Sequence, residues 1–230
     1  MTIKDLPNKK YFVFDAFGTL FKTSEVKEAL TEIAGDKTDN LLQVWRSKQL
    51  QYTWLRNEMN QYEPFSTVTK EALDYSMRLN GISDEKVFDI LLPLYDTPSL
   101  INGVETLLKT LKANGKTVAI LSNGTPSMLE NGVQLTGIAP YVDAILSVDT
   151  IGVYKPKPAV YQMVLDQLQT TIDELVFFSS NQWDVSGASI FGLDACWINQ
   201  YGETKEGLPF GNVVELGSLL EVVGLYEDAP

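Results

Sequence analysis

Short apolar runs rich in β-branched and aromatic residues recur along this chain: YFVF (11–14), TVAIL (117–121), DAILSV (143–148), ELVFF (174–178) and ACWI (195–198). Helix-period stretches such as GVETLLKTLKANG, PAVYQMVLDQL and WDVSGASIFG separate most of them. Strands apolar on both faces, alternating with amphipathic helices, predict a doubly wound, Rossmann-like parallel sheet, an α/β fold with helices on both faces. The 230 residues suit one large domain, or one core domain carrying an insertion.

The first run and the second lie about a hundred residues apart, too far for a single crossover. Most of that interval has helical periodicity and no strand candidate. SEVKEALTEIAG, DNLLQVWRSKQLQYTWLRNEMN, STVTKEALDYSMRLNG and SDEKVFDILLPLY each open near a Ser, Thr or Asp able to cap a helix. A helical cap over 22–97 is therefore expected, inserted into a core made of 1–21 and 98–230. On the long cap helix, Leu41, Val44, Trp45, Tyr52, Leu55 and Met59 form one apolar face, and Leu42, Arg46, Leu50 and Thr53 form another.

Composition narrows the chemistry. The chain has 18 basic and 30 acidic residues, a net charge of −12, which disfavours nucleic acid or anionic membrane as partners. It has no histidine, so catalysis must run on carboxylates, Lys, Arg, Ser or Tyr. The single cysteine, Cys196, excludes an internal disulfide and a cysteine metal cluster, and reads as a buried hydrophobe. No apolar run is long enough to span a bilayer, and the polar start MTIKDLPNKK has no signal-peptide pattern, so a cytoplasmic location is expected.

Polar residues follow three of the runs. Asp15 follows YFVF; Ser122 and Asn123 follow VAIL; Ser179, Ser180, Asn181 and then Asp184 follow LVFF. In a doubly wound sheet the carboxyl ends of neighbouring strands line the ligand crevice. Any one of these residues alone reads as a helix cap or turn. Their convergence reads as a site.

Five stretches carry a family resemblance. FDAFGTLF resembles the first motif of the haloacid dehalogenase superfamily, LSNGT (121–125) its second and YKPKPAVY (154–161) its third. SSNQWD (179–184) is close to the form in the L-2-haloacid dehalogenases, whereas phosphatase relatives carry paired acids there that hold magnesium. VWRSKQLQYTWLRNEMNQYEPF (44–65) resembles the dehalogenase cap helix and its following loop. The resemblance runs from about Phe12 to Trp197. It implies Asp15 as nucleophile, Lys155 as the charge-balancing lysine supported by Tyr161, and Asp184, positioned by Asn181 and Lys155, as the base that activates water. It further implies a halide cradle of Arg46, Asn123 and Trp183. Ser122 and Thr19 would hold the substrate carboxylate, Ser179 belongs to the same catalytic set, and Phe17, Leu50 and Phe65 would be apolar walls. The implied reaction converts a short L-2-haloacid to a D-2-hydroxy acid and halide, with inversion at C2 through an aspartyl ester. No cofactor and no metal are implied, and a homodimer is common in the family.

The residue chemistry favours the dehalogenase branch. Phosphate-ester hydrolysis expels an alkoxide, so phosphatases place a second Asp two residues after the nucleophile to protonate it. That position is Phe17 here. Halide needs no proton, and its displacement by a carboxylate favours a dry, positively framed pocket. Core packing alone would also explain Phe17, as snorkelling would explain Arg46 and an exposed turn would explain Lys155 and Lys157. Trp45, Tyr52 and Trp54 read as cap packing. A magnesium-dependent phosphatase and a catalytically idle binding protein of the same fold remain the alternatives.

Overall fold

The computed structural model describes residues 1–22, 24–84 and 86–227. The chain begins the sheet with β1 (Tyr11–Phe14) and turns into the two-residue β2 (Phe21–Lys22). Four helices follow: α1 (Ser24–Ala34), α2 (Thr38–Met59), α3 (Phe65–Leu79) and α4 (Lys86–Leu91). The chain then runs β3 (Ser99–Leu100), α5 (Val104–Ala113), β4 (Thr117–Ser122), α6 (Pro126–Leu135), β5 (Ala144–Ser147) and α7 (Pro158–Leu168). It ends with β6 (Leu175–Ser179), α8 (Gln182–Phe191), β7 (Asp194–Ile198), β8 (Val213–Leu216) and α9 (Leu220–Glu227). No helix among the described residues is long and apolar enough to cross a membrane.

Six strands pair in parallel in the order β5-β4-β1-β6-β7-β8. The chain steps outward from β1 to one edge, then returns to the other side of β1 at β6. That reversal opens a crevice at the carboxyl end of β1. Helices cover both faces, which is why the strands are apolar throughout. Val13, Ala119 and Phe177 pack on one side with Tyr161 and Val164, and Phe12, Phe14, Val118, Ile120, Val176 and Phe178 pack on the other. Phe178 stacks on Phe12 and Phe14 at ring separations of 5.8 and 4.8 Å. Truncating such a ring costs about 3–5 kcal/mol, so the strands next to the site form a stiff platform. Cys196 is buried in this core, and burial pushes its thiol pKa up.

Three details differ from the expectation. β8, with the sequence VVEL, is an edge strand whose first two residues are half-buried and whose Glu215 is exposed, so its apolar signal is weak. β2 and β3 pair antiparallel on either side of helices α1–α4, with Phe21 opposite Leu100. Two residues per strand are too few to show a period. On α2, the buried stripe is Thr38, Leu41, Trp45, Gln49 and Thr53, whereas Leu55 and Met59 are 47% and 59% exposed. Polar side chains occupy the inner face there because each finds a partner: Thr38 and Thr53 donate to the Gly35 and Leu50 carbonyls, and Gln49 is satisfied from α3. The Gln49 amide donates to Thr69 Oγ1 at 2.8 Å, and the Trp45 indole N–H donates to the Thr69 carbonyl at 2.9 Å.

Candidate active site

β1 delivers Asp15 to the sheet edge, where its backbone N–H still donates to Phe178 O at 2.8 Å, extending the ladder by one bond. The chain must then reverse. Gly18 adopts φ +90, a conformation that side chains disfavour, and the turn sends Thr19 back toward Asp15. Thr19 Oγ1 lies 3.1 Å from Asp15 Oδ2 and accepts the Ser180 N–H at 2.9 Å, tying this turn to the end of β6. Asn181 Nδ2 (2.9 Å) and Ser179 Oγ (3.3 Å) also donate to Asp15 Oδ2. Asp15 is only 7% exposed, so these donors hold its carboxylate in one orientation, largely away from water.

Lys155 approaches Asp15 from the loop before α7. It is completely buried, and its ammonium donates to Leu121 O (2.7 Å), Asp15 Oδ1 (3.1 Å) and Asp184 Oδ2 (2.8 Å). All three of its N–H bonds are thereby used. Two amides pin the loop. Asn123 Oδ1 accepts the Lys155 backbone N–H at 3.0 Å, and Asn57 of α2 clasps the Tyr154 backbone at N–H (2.9 Å) and carbonyl (2.8 Å). Asp184 lies one turn into α8, with Oδ1 accepting the Tyr161 hydroxyl at 2.8 Å.

One cation therefore serves two buried acids. Burial works against the Lys155 ammonium, but Asp15 and Asp184 outweigh it and hold its pKa above the ordinary lysine value. Burial, reinforced by Asp15 and opposed by Lys155, pushes Asp184 up to about 6. Burial and the neighbouring Asp184 raise Tyr161 well above an ordinary phenol, so it stays a donor. Among the described residues no group of three or more His, Cys, Asp or Glu side chains could hold a metal ion. Between the two carboxylates stands an ammonium.

Arg46 descends from α2. Its guanidinium donates to Gln49 Oε1 at 3.0 Å and, more distantly, to Asn181 Oδ1 at 3.4 Å. Both partners are neutral amides, and among the described residues no carboxylate pairs with Arg46. A half-buried positive charge in a chain of net charge −12 is thus left uncompensated beside the Asp15 network.

The remaining sequence candidates take more varied places. Ser122 is buried, its hydroxyl accepting the Gly124 N–H at 3.1 Å. Phe17 is half-buried between Phe21 and Tyr95, at ring separations of 5.9 Å each. Phe65, the first residue of α3, packs edge-on to Tyr154 at 6.3 Å, next to Lys155 in sequence. Leu50 is half-buried on α2. Trp183 packs edge-on against Trp54 at 5.7 Å and lines a groove of about 500 Å³ with Pro156, Ile190 and Leu208. Lys157 is a surface residue paired with Glu58 at 2.7 Å. Sequence reasoning missed Gln49, Thr69 and Asn57. Gln49 lies three residues after Arg46, a helical spacing that places the two side by side. Nothing in the chain's local pattern marks Thr69 or Asn57, whose partners lie across a helix pair and across the two halves of the molecule.

The comparisons agree with this geometry. A family model described as haloacid dehalogenase-like hydrolase matches residues 9–192. The (S)-2-haloacid dehalogenase of Pseudomonas sp. (strain YL) is 37% identical over 221 residues, covering 96% of this chain and 95% of that one. (S)-2-haloacid dehalogenase 4A of Burkholderia cepacia is 36% identical over 195 residues, covering 84% of each. Among solved structures, the L-2-haloacid dehalogenase of Xanthobacter autotrophicus with chloropropionic acid covalently bound superimposes with a TM-score of 0.88 at 30% identity, covering 96% of this chain and all of that one. The chain therefore belongs to the haloacid dehalogenase-like hydrolases, among the L-2-haloacid dehalogenases.

Proposed function

We propose that this protein hydrolyses short L-2-haloacids to D-2-hydroxy acids. The observation that carries the reading is Arg46, an uncompensated cation held by neutral amides one hydrogen-bonded residue away from Asp15. A carboxylate nucleophile framed by a free positive charge suits a reaction that expels an anion into a nearly dry site. Asp15 attacks C2 from the side opposite the halogen; the C–O bond forms as the carbon–halogen bond breaks, and the configuration inverts. Arg46, with Asn123 and Trp183, receives the halide, Ser122 and nearby backbone N–H groups hold the substrate carboxylate, and Thr19, whose hydroxyl is committed to Asp15, holds the nucleophile instead. Leu50, Phe65 and Phe17 wall off water.

The ester removes the charge of Asp15, so Lys155 is left with Asp184 alone. Asp184 then takes a proton from water as that water attacks the ester carbonyl of Asp15; the bond from the carbonyl carbon to the C2 oxygen breaks, Asp184 returns the proton to the departing alkoxide to give the hydroxy acid, and the Asp15 carboxyl loses its proton to solvent, regenerating the nucleophile. Ser179 and Asn181 hold the Asp15 carboxyl in place through both steps, and Tyr161 fixes Asp184. On this reading residues 22–97 are a cap closing on a core of 1–21 and 98–230, and Lys155 supplies the positive charge without a cofactor. The lone cysteine fits a cytoplasmic enzyme. We further read the exposed Leu55 and Met59, on α2, as the contact of a homodimer; sedimentation of the wild type against Leu55→Glu checks it, a monomeric wild type refuting it.

Purified protein should release halide from L-2-chloropropionate, undiminished by EDTA. A protein inert on all small 2-haloacids, yet active on phosphate esters with added magnesium, would overturn the assignment in favour of the phosphatase alternative.

A further inference from the structure

Arg46 is aimed by a side chain that touches no reacting atom. Gln49 is completely buried, in a stripe of α2 where an apolar residue would be the ordinary choice. Its amide is used at both ends: Oε1 accepts from Arg46 Nη1 at 3.0 Å, and Nε2 donates to Thr69 Oγ1 at 2.8 Å. Since a guanidinium has only donors, the amide must present oxygen to Arg46, and Thr69 makes that orientation the favoured one by accepting from the other end. The Thr69 backbone is pinned to α2 as well, because its carbonyl receives the Trp45 indole N–H at 2.9 Å. A hydrogen-bonded chain, fully buried at its Thr69–Gln49 link, thus runs from α3 through Gln49 to Arg46, and on through Asn181 to Asp15.

The chemistry of the partner matters as much as its geometry. A carboxylate at this position would orient Arg46 equally well but would neutralise it. The amide orients the guanidinium and leaves its charge for another anion. We propose that Gln49, locked by Thr69, is a positioning residue that aims Arg46 at the leaving halide while leaving its positive charge uncompensated. This rests on the dehalogenase reading above.

Gln49→Met keeps volume and burial but removes both hydrogen bonds, and Thr69→Val removes only the lock. Help from Arg46 counts more for chloride, the poorer leaving group, than for bromide. Misplacing a charge of this kind by an ångström costs about 100-fold. Gln49→Met should therefore lower kcat on L-2-chloropropionate by about that factor, lower it less on L-2-bromopropionate, and leave KM nearly unchanged, since the interaction strengthens only as the halide departs. Thr69→Val should show the same chloride-over-bromide skew more weakly, and Thr69→Ser should restore the wild-type ratio. Gln49→Glu should abolish product inhibition by added chloride. Equal slowing on both substrates, or unchanged rates in variants with wild-type circular dichroism, would overturn the proposal while leaving the dehalogenase reading intact. If Gln49→Met fails to fold, Thr69→Val decides. A wild type that releases neither halide overturns both.

Discussion

Asp184→Asn should make this protein more stable and inactive. The ionised Asp184 is completely buried, and its pKa stands at about 6 against an ordinary 3.8 because burial and Asp15 outweigh the pull of Lys155. At about 1.4 kcal/mol per pKa unit, that rise corresponds to about 3 kcal/mol. The direction follows from proton uptake. Between about pH 4 and pH 6 the folded chain binds a proton at Asp184 more readily than the unfolded chain, so this contribution is fully present below pH 3.8 and lost as pH rises through about 6. At pH 8 the folded wild type carries the whole penalty. Asparagine has nearly the same shape and no charge at any pH. Its Oδ1 can still accept from Lys155, and its Nδ2 can donate to Tyr161, whose hydroxyl also lies 3.1 Å from the Asp184 carbonyl and can donate there. Asp15 remains as partner for Lys155. Thermal melts at pH 8 should place the variant about 6–12 °C above the wild type, at roughly 2–4 °C per kcal/mol for a chain of this length. At pH 4 the two should melt nearly together. A variant less stable than the wild type by the same margin at both pH values would refute the reasoning, since the buried triad would then be net stabilising.

Other perturbations follow from the same geometry. In single-turnover experiments, hydrolysis of the Asp15 ester should slow tenfold per unit as pH falls below the Asp184 pKa; because esterification removes the repulsion from Asp15, the midpoint should lie at or below about 6, and a midpoint well above it would exclude Asp184 as the base. Arg46→Lys keeps the charge but loses the fork held by Gln49 and Asn181, and halide release from L-2-chloropropionate should fall about 10²-fold with little change in melting temperature. Gly187→Ala would place a methyl 2.4 Å from Pro156 Cβ and 2.7 Å from the Tyr161 hydroxyl. It should cost at least about 1–3 kcal/mol in urea unfolding and disturb Lys155 and Asp184 together, so loss of activity without loss of stability would contradict the packing described.

The fold was legible where burial writes itself into composition. The four central strands are apolar on both faces and the edge strand β5 is still apolar in sequence, while four of the helices before β3 carry a helical period strong enough to read. β8 escaped because an edge strand half open to solvent needs fewer apolar residues, and the β2–β3 pair escaped because two residues have no period. The site was legible only in combination. Asp15, Asn123, Lys155, Asn181 and Asp184 follow strand ends or stand in recognisable blocks, and the structure draws them around one ammonium. The inner face of α2 was misjudged toward its end, since hydrophobicity ranks Leu55 and Met59 above Gln49 and Thr53. Satisfied hydrogen bonds reverse that order, and the partner that satisfies Gln49 sits twenty residues away on another helix.

The ammonium at the centre of the site belongs to the chain itself. A dissolved cation occupies such a position according to its concentration, exchanges with competitors and can be stripped by a chelator. Lys155 has no dissociation constant: its local concentration is fixed by the covalent backbone and by the Leu121 carbonyl that anchors it. The charge balance between Asp15 and Asp184 is therefore independent of the ionic supply of the cell, and it depends on the loop that Asn57 and Asn123 hold shut.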